Sequence, residues 1–142
     1  MNILGFNFTK IAAQRELKLE KIQIKTKIDF EEPKKDDSSL LKNQEIFNFP
    51  FSYNINYVSS DSKSNEEQNQ ASIVFKGNIL ISGTKEETKD LLKNWKSKDS
   101  DSNLKTGIIN TIIQKCTIKA LSIEEEINLP FHINLPTIKL SK

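Results

Sequence analysis

A chain of 142 residues with 36% hydrophobic side chains and a formal net charge of +2 is long enough to bury a core as one domain without staples. Its one cysteine excludes an internal disulfide framework and fits a reducing compartment, with the cytoplasm expected. No apolar run approaches the ~20 residues of a membrane span, and Met1 to Gln14 lack the pattern of a signal peptide. Arg15 is the only arginine among 21 basic residues. Phosphate and base-edge recognition favour the bidentate arginine fork, so nucleic acid is not an expected partner.

In chain order, Leu4, Phe6 and Phe8 alternate with Gly5, Asn7 and Thr9, and Ile11 follows on the other parity. This predicts a first strand over about 3–15 with a bulge near Lys10. Ile22, Ile24, Ile28 and Phe30 then share one parity against Gln23, Lys25, Lys27 and Asp29, a second strand over about 20–31. The stretch 31–43, with its EEPKKDDSS run, reads as an exposed connection, with a short helical turn possible around Ser39 to Lys42. A third strand over about 46–58 carries Phe47, Phe49, Phe51, Tyr53, Ile55 and Tyr57 at every odd position. Pro50 cannot donate to a ladder, which calls for an edge or a bulge at that residue. A polar loop over 59–70 leads to a fourth strand over about 71–82, where Gly77 marks a bulge or the close approach of another backbone.

Thr84 and Glu87 have the spacing of a capping box and open a helix over about 85–96 that presents Leu91, Leu92 and Trp95. After a polar break over 97–102, Ser102 or Asn103 caps a longer helix over about 104–122. Its Ile108, Ile109, Ile112, Ile113, Cys116 and Ala120 follow the 3.6-residue period, although its β-branched residues are mediocre helix formers. Such a helix depends on what it packs against. Pro130 and Pro136 then bracket an extended strap over about 128–140, in which Leu129, Phe131, Ile133 and Leu135 alternate as if lying on an apolar surface. The order predicts an α+β fold in a single domain over 1–142: a four-stranded antiparallel sheet followed by two helices and a C-terminal strap. The helices are expected on one sheet face, with the other left polar.

Residues suited to chemistry are sparse. His132 is the only histidine and reads as a packed or surface side chain. Glu124, Glu125 and Glu126 read as a solvated charge run, and no set of ligands converges as a metal site requires. Cys116 has the periodic position of a core residue and no basic neighbour to activate it. Gly83-Thr84-Lys85 is better read as a helix cap than as the end of a phosphate loop. No catalytic residue, cofactor or metal is expected, and the chain is not read as an enzyme.

The unusual feature is apolar weight. Phe47, Phe49, Phe51 and Tyr53 on the third strand, Leu91, Leu92 and Trp95 on the first helix, and Phe131 in the strap exceed what two modest helices can cover. Self-association would bury the excess, with Ile108, Ile109, Ile112, Ile113 and Cys116 as the candidate oligomer interface. Any remaining groove would bind other apolar chains, with the eight residues named first as its candidate lining.

Several stretches resemble the SecB-type protein-export chaperones. Phe6-Asn7-Phe8-Thr9-Lys10-Ile11 and Lys21-Ile22-Gln23-Ile24-Lys25 resemble the family's first two strands. The alternating run Phe47 to Val58 is similar to its third, and Ser72 to Gly83 to its fourth. The Ile-rich helix around Cys116 and the sequence Leu129-Pro130-Phe131-His132-Ile133-Asn134-Leu135-Pro136 resemble its long helix and proline-containing strap. The resemblance implies a dimer of dimers that binds unfolded or precursor polypeptides in hydrophobic grooves without ATP. It leaves open whether a translocation motor is a partner. The alternative is a non-enzymatic adaptor that grips one specific protein partner.

Overall fold

Period-two alternation in four segments closes into one antiparallel sheet, and the helical segments lie on its apolar side. The structure, a computed structural model, describes residues 2–36, 44–59, 69–95 and 103–137. Over these the chain forms β1 (Asn2–Arg15), β2 (Ile22–Phe30), β3 (Lys34–Asp36), β4 (Glu45–Ser59), β5 (Asn69–Gly83), α1 (Lys85–Trp95) and α2 (Asn103–Glu126). An irregular tail, residues 127–137, follows. The expected turn around Ser39 to Lys42, the break over 97–102, a cap at Ser102 and the end of the strap lie outside the described residues.

The long strands lie in the order β1–β5–β4–β2, and β3 pairs with β4 beyond the end of β2. The strand β3 corrects the expected exposed connection: Lys34, Lys35 and Asp36 pair with Asn48, Phe47 and Ile46. Its polar composition hid it, because a three-residue strand carries too little alternation to read. Pro50 falls opposite the gap between β2 and β3, where its missing N–H leaves no ladder bond unmade, while its carbonyl accepts from the Glu31 amide at 3.1 Å. The β4 strand is thus an edge at that one residue, as the proline required.

Pairing of β1 with β5 skips twice, at Leu4 and at Thr9. Each extra residue reverses the parity, so that Ile3, Phe6, Phe8 and Ile11 all fall on one face despite their uneven spacing. That face meets the odd residues of β4 and β5, and Phe6 and Phe8 stack against Phe51 and Phe75 at 5.2 and 5.4 Å. The expected bulge near Lys10 is therefore present, one residue earlier. Gly77 stands opposite it, where a Cβ would lie 2.2 Å from the Asn7 carbonyl oxygen. This is the close backbone approach expected of it.

Helix α1 starts as its sequence predicts. The Glu87 amide donates to Thr84 Oγ1 at 3.2 Å, and the Thr84 amide donates to Glu87 Oε1 at 3.3 Å, a closed capping box. Thr88 is buried one residue later, with its hydroxyl 2.9 Å from Glu45 Oε2. The hydrogen bond from Thr88 holds the Glu45 carboxyl below its ordinary range, and Lys35, 3.4 Å from Oε1, adds to this. A chain of contacts from β3 through β4 thus fixes α1 on the sheet. Trp95 ends the helix against Phe49 and Phe30, with ring centroids 4.7 and 5.0 Å apart.

Helix α2 lies across the same face. Ile108, Ile112, Cys116, Ala120 and Ile123 are buried against the sheet. The helix runs four residues past the expected end at 122, because a Schellman turn closes it. Asn128 adopts φ 54°, the Leu129 amide donates to the Glu124 carbonyl at 2.8 Å, and the Asn128 amide to that of Glu125 at 3.5 Å. Asparagine tolerates this left-handed conformation better than most residues, and Leu129 after it is buried with the core.

Candidate functional site

The apolar residues expected to line a groove divide by burial. Phe47, Phe49, Phe51, Tyr53, Leu91 and Trp95 are at most 8% exposed, packed between sheet and helices. Leu92 is half-buried and Phe131 is 43% exposed, so only these two of the eight present a surface. The reason is geometric. The odd residues of β4 from Phe47 to Tyr57 are buried on the side of the sheet that carries the helices, and a strand that reads as an amphipathic surface in sequence becomes the floor of the core.

The candidate interface on α2 divides similarly. Ile108, Ile112 and Cys116 face the sheet, Ile109 is half-buried, and Ile113 points outward at 39% exposure. Farther along the helix Ile118 is 64% exposed. The far side of α2 therefore carries apolar side chains that no described element covers. Cys116 is fully buried, and burial pushes its thiol up to about 12 from an ordinary 9.0. In the folded protein we expect it to react with a thiol reagent near pH 8 about 100-fold more slowly than in urea. Equal rates in the two states would contradict the packing.

The strap is held differently from its sequence pattern. Leu129 is buried, but Phe131, Ile133 and Leu135 are exposed, so the alternation does not lie on an apolar surface as expected. The inward side chain is His132, 3% exposed. Its Nδ1 donates to Glu124 Oε1 at 2.8 Å, and the other carboxylate oxygen accepts from the Tyr57 hydroxyl. The same hydroxyl lies 3.1 Å from the Pro130 carbonyl oxygen. Glu124 and Tyr57 are both fully buried. Burial first, then the hydrogen bond to Glu124 and its charge, push the Tyr57 hydroxyl above its ordinary value of 10.0. The reading of Glu124 as part of a solvated run is corrected: Cys116, Ala120 and Glu124 recur every four residues on one side of α2, which was the available signal.

Arg15 completes the anchor. One of its terminal nitrogens donates to the carbonyls of Ile127 and Asn128 at 3.0 and 2.5 Å, the place where a cation complements a helix C-terminus. Its other nitrogens hold Glu16 and Leu17 carbonyls at 3.0 and 3.2 Å. The root of the strap is therefore fixed to β1 and β4, and its tip presents three apolar side chains to solvent.

A second apolar surface lies beside α1. A cavity of about 350 Å³ is bordered by Phe30, Glu32, Pro33, Trp95 and Lys105. An adjoining one of about 200 Å³ reaches Leu92. Lys105 Nζ donates to the Trp95 carbonyl at 2.8 Å and sits 5.6 Å from its ring centroid, which ties the start of α2 to the end of α1. Among the described residues no three His, Cys, Asp or Glu side chains converge as a metal site, and no helix is long and apolar enough to cross a membrane.

The chain matches no family model and no curated protein. Among solved structures it is similar to the Mycobacterium tuberculosis Rv1957 SecB-like chaperone in complex with a ChAD peptide from the Rv1956 HigA1 antitoxin, with 11% identity, a TM-score of 0.48, and coverage of 99% of this chain and 92% of that one.

Proposed function

We infer that this protein is a SecB-like holdase: a cytoplasmic homo-oligomer that binds non-native or export-bound polypeptides on apolar surfaces, without nucleotide, metal or catalysis. The observation that carries this reading is the set of outward apolar side chains on elements that are themselves firmly anchored. Phe131, Ile133 and Leu135 are 39–43% exposed on a strap whose root is fixed by buried hydrogen bonds. Exposed apolar groups on a rigid support lose little entropy on contact and gain by desolvation. The groove beside Leu92 and Trp95 supplies a second contact of the same kind. Ile113 and Ile118 on the far side of α2 are assigned to the contact between subunits, which for the SecB-type resemblance means a dimer of dimers.

The test is suppression of aggregation of a denatured model protein at stoichiometric amounts without nucleotide. Protection is expected, together with a solution mass above that of one chain. Replacing Phe131, Ile133 and Leu135 by serine should leave the fold intact and weaken binding of a labelled unfolded client about tenfold, the equivalent of about 1.4 kcal/mol of lost apolar burial. No protection at several-fold excess rejects the holdase. Tight binding of one folded partner in its place would favour the adaptor reading.

A further inference from the structure

The tip of the strap is held by less than its root. At the root, Leu129 is buried with the core, its amide closes the end of α2, and the Pro130 carbonyl oxygen lies 3.1 Å from the Tyr57 hydroxyl. Beyond Pro130 the support thins. Among the described residues, the contact of His132 Nδ1 with Glu124 Oε1 at 2.8 Å is the one hydrogen bond that residues 131–137 make. Phe131, Ile133 and Leu135 are 39–43% exposed, and the buried core cluster ends at Leu129. What fixes the tip therefore passes through one imidazole.

That imidazole is docked at a cost. The side chain is 3% exposed, and its Nε2 is buried with no hydrogen-bond partner among the described residues. A polar atom has been taken out of water with nothing in return. If the ring leaves, Nε2 recovers water. Glu124 is not orphaned by the departure, because its second carboxylate oxygen still accepts from the Tyr57 hydroxyl. Arg15 grips the Ile127 and Asn128 carbonyls, which precede the tip, and is not disturbed. Undocking thus breaks one charge-assisted hydrogen bond and uncovers little of the core, a cost well below that of unfolding.

We propose that His132 is a single-bond latch, from which residues 131–137 open as a local unit while the sheet, both helices and the root of the strap stay folded. Closed, the latch fixes Phe131, Ile133 and Leu135 in one outward arrangement. Open, it releases all three together. The latch concerns how the tip is held and does not depend on what the tip binds, so it stands apart from client holding.

His132 is the only histidine, so carbethoxylation of imidazole by diethyl pyrocarbonate reports on this one site in the full chain. The reagent needs a ring nitrogen that is open to solvent. In the folded protein the modification is expected to run about ten- to a hundredfold slower than in the urea-unfolded chain at the same pH, the range set by one hydrogen bond to a charged group. The rate should stay flat as urea is added below the unfolding transition, because local opening exposes little new surface. Glu124→Gln, which keeps an acceptor but removes its charge, should speed the modification about tenfold in the folded state. Three results overturn the proposal: a rate that climbs with urea in parallel with global unfolding, equal rates in folded and unfolded chains, or Glu124→Gln protected as fully as the parent.

Discussion

Replacing Glu124 by alanine should destabilise the protein by about 3–5 kcal/mol, the scale on which breaking a buried polar network from its centre is felt. The carboxylate is fully buried and receives both the His132 Nδ1 proton and the Tyr57 hydroxyl. Its removal leaves the buried His132 Nδ1 without a partner and the Tyr57 hydroxyl with the Pro130 carbonyl alone. Glu124→Gln keeps the volume and one acceptor and should cost less, about 1–2 kcal/mol, as should Tyr57→Phe. Urea unfolding measures these differences, and hydrogen exchange at the amides after Asn128 should show the strap opening first in Glu124→Ala. A Glu124→Ala midpoint close to that of the parent would show that the network does not hold the strap.

The same site sets an alkaline limit. Tyr57 has its folded value raised above 10.0, so its hydroxyl stays neutral in the folded state while the unfolded chain ionises. Its contribution is fully present below 10.0 and is lost as pH rises beyond it. Cys116 acts in the same sense between 9.0 and about 12. The unfolding midpoint should therefore fall as pH rises above 9.0, and less steeply in Cys116→Ala and Tyr57→Phe.

The second large effect is expected at Gly77. An alanine there would place Cβ 2.2 Å from the Asn7 carbonyl oxygen and 2.9 Å from Phe51 Cζ. The nearer atom is backbone and cannot turn aside, so β1 must part from β5 over the very stretch where Phe6 and Phe8 reach the core. A loss of about 3 kcal/mol or more is expected. Two other glycines provide the contrast. At Gly5 the nearest atom is Leu80 Cδ1 at 3.8 Å, an ordinary contact, and at Gly107 nothing lies within 4 Å. Gly107 is an exposed position in α2, so Gly107→Ala should stabilise by about 0.5–1 kcal/mol. If Gly77→Ala unfolds at the same urea concentration as Gly5→Ala, the pairing at the β1 bulge is not as described.

What could be read in the sequence was whatever depends on near neighbours. The alternation of Phe47 to Tyr57 fixed β4 and its buried side, because side chains in a strand point to opposite faces in turn. Thr84 and Glu87 fixed the start of α1, because a capping box is closed within four residues. The parity change at Ile11 and the glycine at position 77 located the β1 bulge and its partner from either side. The tertiary structure alone decided the rest, since it depends on residues brought together from distant parts of the chain. Glu124 looks solvated beside Glu125 and Glu126 until Tyr57 and His132 enclose it. The strap's apolar alternation looks like a buried face until the inward turn of His132 leaves Phe131, Ile133 and Leu135 outside. The aromatic stripe of β4 looks like a binding surface until two helices cover it. Short-range pattern determines which faces are apolar, and only packing decides which of those faces remain open to a partner.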